Sequence, residues 1–185
     1  AGQRQVARPH PNPGGHGQAL GGVCAAGGGH FQGGLHWGAG GGGGGDFPNT
    51  STEQWNRVIN VNLNGTFYMS RAVWPHIISG GGGAVVNMSS LAAQRGFSPR
   101  MFDEFGAASP SYYAAKAGVE ALTRYMAGIG GKNNIRINCI RPGQIMTPGA
   151  TRGTVNDPDG GHHVFETMFN LAQIIPGPGY PEDVA

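Results

Sequence analysis

The sequence predicts an α/β domain built on a parallel sheet with helices on both faces. Helical and strand patterns alternate from residue 50 to residue 141, and the strands read as short unbroken apolar runs rather than as alternating ones. The chain has 185 residues, and at about 100–200 residues per domain that is a single domain.

Residues 1–45 stand apart from the rest. Half of the 36 glycines fall within the first 50 residues, and before Asp46 the large apolar side chains are only Val6, Leu20, Val23, Phe31, Leu35 and Trp37. Glycine raises the backbone entropy lost on ordering, so such a stretch buries too little surface to fold by itself. It reads as a glycine-rich low-complexity or degenerate segment, and residues 46–185 as the packed part of the domain.

The first element begins at Thr50. Thr50 and Glu53 have capping-box spacing, and Trp55, Val58, Ile59, Asn62 and Leu63 follow three and four apart, which puts Asn62 on the core-facing stripe of a helix. A buried amide needs hydrogen bonds, and a purely structural role satisfies that need as well as a functional one.

After the glycines at 80–83, Ala84 to Met88 is an apolar run that predicts a strand buried on both faces, followed by Ser89 and Ser90. Ligands of open parallel sheets bind beyond the carboxyl ends of the strands, so this serine pair stands where chemistry is expected. Serines also end strands simply by forming turns.

Ser109 and Pro110 supply an N-cap and a first-turn proline for a helix reaching about Ala127. Within it Tyr112 and Lys116 are four apart and share one face. A free phenol has a pKa near 10, and bringing it to neutrality takes about 4 kcal/mol. A neighbouring ammonium acts in that direction. A lone Tyr-x-x-x-Lys is nevertheless common on surface helices. Ile135 to Arg141 is the next strand, stopped by Pro142-Gly143. Helix, strand, helix, strand in this order gives right-handed crossover connections.

Composition excludes other classes. The net charge of +2 is too small and too scattered for a nucleic-acid footprint. No apolar run has the length of a membrane span, and no signal-peptide core opens the chain, so the expectation is a soluble, cytoplasmic protein. Cys24 and Cys139 have neither disulfide nor zinc spacing and read as small buried apolar residues. His162 and His163 are adjacent, without facing geometry or a third ligand, so no metal site is expected.

Asn60-Val61-Asn62-Leu63, Val86-Asn87-Met88-Ser89-Ser90, Tyr112-x-x-x-Lys116-Ala117-Gly118, Ile135-Arg136-Ile137-Asn138 and Pro142-Gly143-Gln144-Ile145-Met146-Thr147-Pro148 together resemble the short-chain dehydrogenase/reductase family. The five motifs occur in the family's order. The likeness runs from about Asp46 to Pro148, with a fainter continuation at Pro181-Glu182-Asp183-Val184-Ala185. It implies a Rossmann-like doubly wound sheet and hydride transfer between NAD or NADP, with NAD preferred, and a secondary alcohol or ketone.

By this resemblance Tyr112 is the general acid/base. Lys116 holds the nicotinamide ribose and favours the tyrosinate, Ser90 rather than Ser89 orients the substrate oxygen, and Asn62 holds a water that links Lys116 to solvent. Pro142, Gly143, Ile145 and Thr147 match the loop that lines the nicotinamide. The helices starting near Thr50 and Pro110 match those through which the family forms homodimers or homotetramers.

The chain also departs from the family. The glycine-rich turn that brings a helix N-terminus to the pyrophosphate is missing. Gly34-x-x-x-Gly38-x-Gly40 has its spacing, but no apolar strand precedes it and no helix follows. Leu35-His36-Trp37-Gly38-Ala39-Gly40 instead takes the place of the family's Asn-Asn-Ala-Gly, agreeing only at Ala39-Gly40. No Asp or Glu precedes Asp46 to hold the adenosine ribose, so the residues themselves do not choose between the two cofactors.

The domain is therefore expected to be incomplete at both ends, stopping before the last strand, with residues 1–36 derived from a truncated or frame-shifted nucleotide-binding half. The interval between Ser90 and Tyr112 is longer than usual, and Phe97 to Ala108 reads as a flap or a variable loop. Residues 149–179, with Val164, Phe165, Met168, Phe169 and Leu171 at helical spacing, match the family's substrate-covering segment. The competing function is a catalytically inactive Rossmann-like fragment that acts only through association.

Overall fold

The computed structural model describes residues 23–26, 47–100, 109–146, 177 and 179–185. In order they form β1 (Val23–Ala26), α1 (Thr52–Ile59), a π-helical turn (Asn60–Asn64), α2 (Gly65–Ser79), β2 (Gly83–Met88), α3 (Pro110–Gly130) and β3 (Ile135–Ile140). Short 3-10 turns sit at Phe47–Asn49, Leu91–Ala93, Gly131–Asn133 and Pro181–Asp183. No helix among the described residues is long and apolar enough to cross a membrane.

The three strands lie in the order β1-β2-β3. β2 and β3 are parallel, with Gly83 opposite Ile135 and Met88 opposite Ile140, and α3 connects them as the crossover helix. β1 pairs with the other edge of β2 in the antiparallel sense, Val23 opposite Asn87 and Ala26 opposite Ala84. The sheet is thus mixed rather than wholly parallel. β1 also puts a strand inside the glycine-rich segment, ahead of Gly34, where none was expected. Val-Cys-Ala-Ala between glycines is too short to show a period of two, and its strand character comes from pairing with the edge of β2.

α1 starts one residue later than the capping pattern suggested. The N-cap is Ser51, whose hydroxyl accepts from the Gln54 amide N–H at 3.2 Å while Gln54 Oε1 accepts from the Ser51 N–H at 3.2 Å. Two overlapping capping frames exist, and the reciprocal serine–glutamine pair is the one formed. The helical path then continues through α2, interrupted by the π turn, in which the Gly65 N–H reaches back five residues to the Asn60 carbonyl. Along the expected stripe Val58 and Asn62 are buried, Ile59 and Leu63 are half-buried, and Trp55 stays exposed near the helix start.

Ile77 from α2, Val85 from β2, Met126 from α3, and Ile135 and Ile137 from β3 form the core, flanked by Met69, Val73, Trp74, Leu122 and Ala127. Val85 lies opposite Ile137 in the sheet, so this core covers one face. β2 is not buried on both faces: Val85 and Asn87 point into the core, while Val86 between them is 36% exposed. Among the described residues the helices form a single layer over one face of the sheet, and Val86 belongs to the opposite face.

The turn from α2 into β2 depends on glycine. Gly82 has φ +113, and a Cβ there would sit 2.4 Å from the Asn134 carbonyl oxygen. That closeness lets the Gly83 N–H donate to the same oxygen at 3.0 Å, which ties the start of β2 to the start of β3. α3 runs three residues past its expected end. Ser109 stands at its N-cap, but its hydroxyl pairs with Ser111 Oγ at 2.9 Å instead of capping the helix.

Candidate active site

The carboxyl ends of β2 and β3 are stitched together beyond the sheet. The Ser89 N–H donates to the Ile140 carbonyl at 2.8 Å and the Leu91 N–H to the Pro142 carbonyl at 3.1 Å. This holds the serine pair beside the Pro142-Gly143 loop. The first half of α3 packs against the same strand ends and brings Tyr112 and Lys116 with it.

Lys116 is 3% exposed. Its Nζ donates to the Met88 carbonyl at 3.1 Å and lies 5.6 Å from the centroid of the Tyr112 ring. Burial pushes the ammonium down to about 8, because the charged form loses hydration that one carbonyl only partly replaces. Burial also raises the Tyr112 phenol above its ordinary value, and the Ser90 side chain, as its hydrogen-bonding partner, draws it part of the way back. The net shift of the phenol is upward, because desolvation outweighs the stabilisation of the phenolate by Ser90.

The two serines divide their tasks. Ser90 is half-buried, faces Tyr112, and accepts from the Ala92 N–H at 3.2 Å, which starts the 3-10 turn after β2. Ser89 is 3% exposed. Its hydroxyl is 2.9 Å from Glu120 Oε1 and 3.2 Å from the Lys116 carbonyl.

Asn62 lies on the π turn, 1% exposed. Its Nδ2 donates to the Val58 carbonyl at 3.1 Å, its own carbonyl accepts from Thr66 Oγ1 at 2.8 Å, and its buried Oδ1 has no hydrogen-bond partner among the described residues. π turns inside α-helices frequently mark functional positions. Gly118 lets α3 pack this closely on the turn: a Cβ there would be 2.9 Å from Leu63 Cδ2. Ser90, Tyr112 and Lys116 form one group, whereas the hydrogen bonds of Asn62 stay within its own helix.

Pro142, Gly143 and Ile145 line a cavity of about 300 Å³ together with Ile140, Arg141, Asp183 and Val184. Its far wall is tied down by backbone bonds from Met146 N–H to Gly179 O at 2.8 Å and from Gly179 N–H to Gln144 O at 3.0 Å. The expected helix at Pro181 is a single 3-10 turn, with the Tyr180 N–H donating to Asp183 Oδ2 at 2.7 Å. Thr147, the Gly34/Gly38/Gly40 spacing, the Leu35–Gly40 stretch, the Met101–Phe105 part of the flap, His162-His163 and the Val164–Leu171 pattern lie outside the described residues. Cys139 is half-buried rather than buried, and among the described residues no group of three His, Cys, Asp or Glu could hold a metal ion.

The sequence reading missed a third polar residue on the same stripe of α3. Glu120 follows Lys116 by one turn and Tyr112 by two. Both of its oxygens are taken by Arg141, through Nε and through Nη2 at 2.9 Å, and Gln94 Nε2 lies 3.5 Å from Oε2. The Arg141 guanidinium bound to it holds the carboxyl below the usual range. The spacing 112, 116, 120 carries the signal, because three polar residues on one helix stripe that also packs against strands call for a buried partner.

Residues 25–185 match the family model described as enoyl-(acyl carrier protein) reductase, a longer stretch than the five motifs cover. The chain is 35% identical over 136 residues to (3R)-3-hydroxyacyl-CoA dehydrogenase of Rattus norvegicus, covering 73% of this chain and 46% of the relative. It is 38% identical over 98 residues to 2-dehydro-3-deoxy-D-gluconate 5-dehydrogenase of Escherichia coli (strain K12), covering 52% and 35%. Among solved structures it is similar to levodione reductase, with a TM-score of 0.66, 28% identity, and coverage of 78% of this chain and 52% of that one. Carveol dehydrogenase from Mycobacterium avium in complex with NAD gives a TM-score of 0.65, 27% identity, and coverage of 76% and 50%. The chain thus spans about half the length of these structures, and less than half of the two curated relatives.

Proposed function

Because the chain belongs to the short-chain dehydrogenase/reductase family, we propose that it is an oxidoreductase that moves a hydride between NAD or NADP and a secondary alcohol or ketone. The observation that carries the reading is the grouping of Lys116, Tyr112 and Ser90 at the carboxyl end of β2, with the Lys116 Nζ 5.6 Å from the Tyr112 ring and Ser90 facing the phenol. The names of the relatives, dehydrogenases and reductases of small alcohols and ketones, support the same chemistry.

The residues fit the nicotinamide end of the cofactor. The cavity at the end of β3 lies at the lower limit of ligand pockets, which run from about 300 to 1,000 Å³, and Pro142, Gly143 and Ile145 give it an apolar wall. In this reading they hold the nicotinamide with Thr147, while Lys116 and Tyr112 hold its ribose. NAD(P), when bound, supplies or accepts the hydride.

The protein side of the reaction is proton transfer and orientation. Burial keeps the Tyr112 phenol protonated at neutral pH, the state required to give a proton to a carbonyl oxygen as that oxygen gains charge. The Ser90 hydroxyl donates to the same oxygen and orients it. Lys116, still an ammonium below about pH 8, stabilises the phenolate left behind. The unpartnered Asn62 Oδ1 suits a bound water, through which Lys116 exchanges protons with solvent.

A second reading, the inactive fragment acting by association, draws on one feature. Phe67 and Tyr68 on α2 are 42% and 54% exposed, with Arg71 stacked 5.4 and 5.6 Å from their rings, and Tyr125 on α3 is 66% exposed. Under either reading we propose that these exposed aromatic faces serve a homodimer or homotetramer of a cytoplasmic protein. Fluorescence titration with NADH and NADPH separates the two: saturable binding supports the oxidoreductase, and no binding of either leaves the association reading.

A further inference from the structure

Glu120 has no part in the chemistry just proposed, yet Arg141, Ser89 and Gln94 all converge on it. Its side chain is 5% exposed, against 42% for that of Arg141, which grips both of its oxygens in a planar fork. Arg141 immediately precedes Pro142-Gly143. Ser89, which reaches Glu120 Oε1 at 2.9 Å, immediately precedes Ser90, and Gln94 closes the turn that Ser90 begins. The Ser89 hydroxyl has a single proton, and both of its neighbours, the Glu120 carboxylate and the Lys116 carbonyl, only accept. That proton therefore ties β2 to α3 at the turn carrying Lys116, and its shorter contact is with Glu120.

We infer that Glu120 is a positioning residue, whose carboxylate, clamped by Arg141 and bonded by Ser89, fixes the Tyr112–Lys116 turn of α3 against Ser90 and the Pro142-Gly143 loop. The inference rests on the proposed roles of those residues. Removing the carboxylate does more than delete one ion pair: it frees the Arg141 fork and leaves Ser89 with only its longer contact to α3, the Lys116 carbonyl at 3.2 Å, so three segments of the site lose their common anchor. Arg124, whose charge also acts on Glu120, lies on α3 itself and cannot take over the link to the strands.

The sequence has only two lysines, Lys116 and Lys132, so in a Lys132→Arg background of the full chain the titration of Lys116 can be followed alone by lysine-labelled NMR. In Glu120→Gln the direct effect of losing a nearby negative charge is to move the Lys116 midpoint down. Loosening of α3 admits water and moves it up from about 8 toward the ordinary lysine value. The expected result is the upward shift, with NADH or NADPH affinity weakened tenfold or more and helical circular dichroism retained.

A midpoint that stays or falls, with only the melting temperature reduced, would overturn the inference. If Glu120→Gln does not fold, Ser89→Ala keeps the ion pair and breaks the link to α3. A smaller upward shift is then expected, and none would overturn it. A wild-type chain that binds neither cofactor removes the proposed function, while the Lys116 midpoint in these variants still decides the positioning role.

Discussion

The Lys116 ammonium donates to the Met88 carbonyl at 3.1 Å, so the last residue of β2 is the hydrogen-bond partner of a lysine that is 3% exposed. One carbonyl does not replace the water the charge gives up, and the ammonium is held down to about 8.

That value sets a pH dependence of stability. Below pH 8 the folded and unfolded chains both carry the proton, and the folded state bears the whole cost of burying the charge. Between pH 8 and 10.5 the folded chain has released a proton that the unfolded chain still binds, so stability rises with pH. The full cost is about 3 kcal/mol. Lys116→Met is expected to raise stability at pH 7 by up to that amount and to flatten the rise above pH 8, as read by urea unfolding at a series of pH values. Above pH 10 the raised Tyr112 phenol acts in the opposite direction, because the unfolded chain then ionises first.

Ser90 is the partner that lowers Tyr112 against the effect of burial. Ser90→Ala is expected to push the phenol further up and to move the alkaline limb of the pH–rate profile with it. With Ser90 in its proposed role as donor to the substrate oxygen, the substitution should reduce kcat by about 10²–10³. Because Ser90 is only half-buried, the melting temperature should change little.

Gly82→Ala tests the tie between the starts of β2 and β3. The added methyl would have to sit 2.4 Å from the Asn134 carbonyl oxygen at a φ of +113. A loss of about 2–3 kcal/mol in urea unfolding is expected. The same substitution at Gly128, where a Cβ meets nothing within 4 Å, is expected to be neutral or stabilising by up to about 1 kcal/mol, since alanine is the better helix former.

Ser51→Ala removes the hydroxyl that accepts from the Gln54 N–H. A loss of about 1 kcal/mol is expected, measured by thermal unfolding.

What the sequence made legible is local. The burial of Asn62 follows from helical spacing, the place of Ser89 and Ser90 from the end of an apolar run, and the pairing of Tyr112 with Lys116 from one turn of helix. What it hid depends on partners distant in the chain. Ser89, Glu120 and Arg141 meet only because β2, α3 and β3 come together, and no pattern within any one of those segments specifies the contact. β1 is a strand because an edge of β2 is there to pair with it, and its antiparallel sense is invisible in four residues. The direction of the Tyr112 shift escaped for a related reason: spacing shows the neighbouring cation, but only the fold shows how much water is lost.

In the proposed reaction Tyr112 exchanges the proton that accompanies hydride transfer. The most direct test of this role is absorbance at 340 nm with NADH and NADPH over a panel of ketones, comparing the wild-type chain with Tyr112→Phe after both have been shown to bind the cofactor equally. Turnover by the wild type and a loss of at least about 10² in the variant are expected. Equal turnover by the phenylalanine variant would contradict the proposed role.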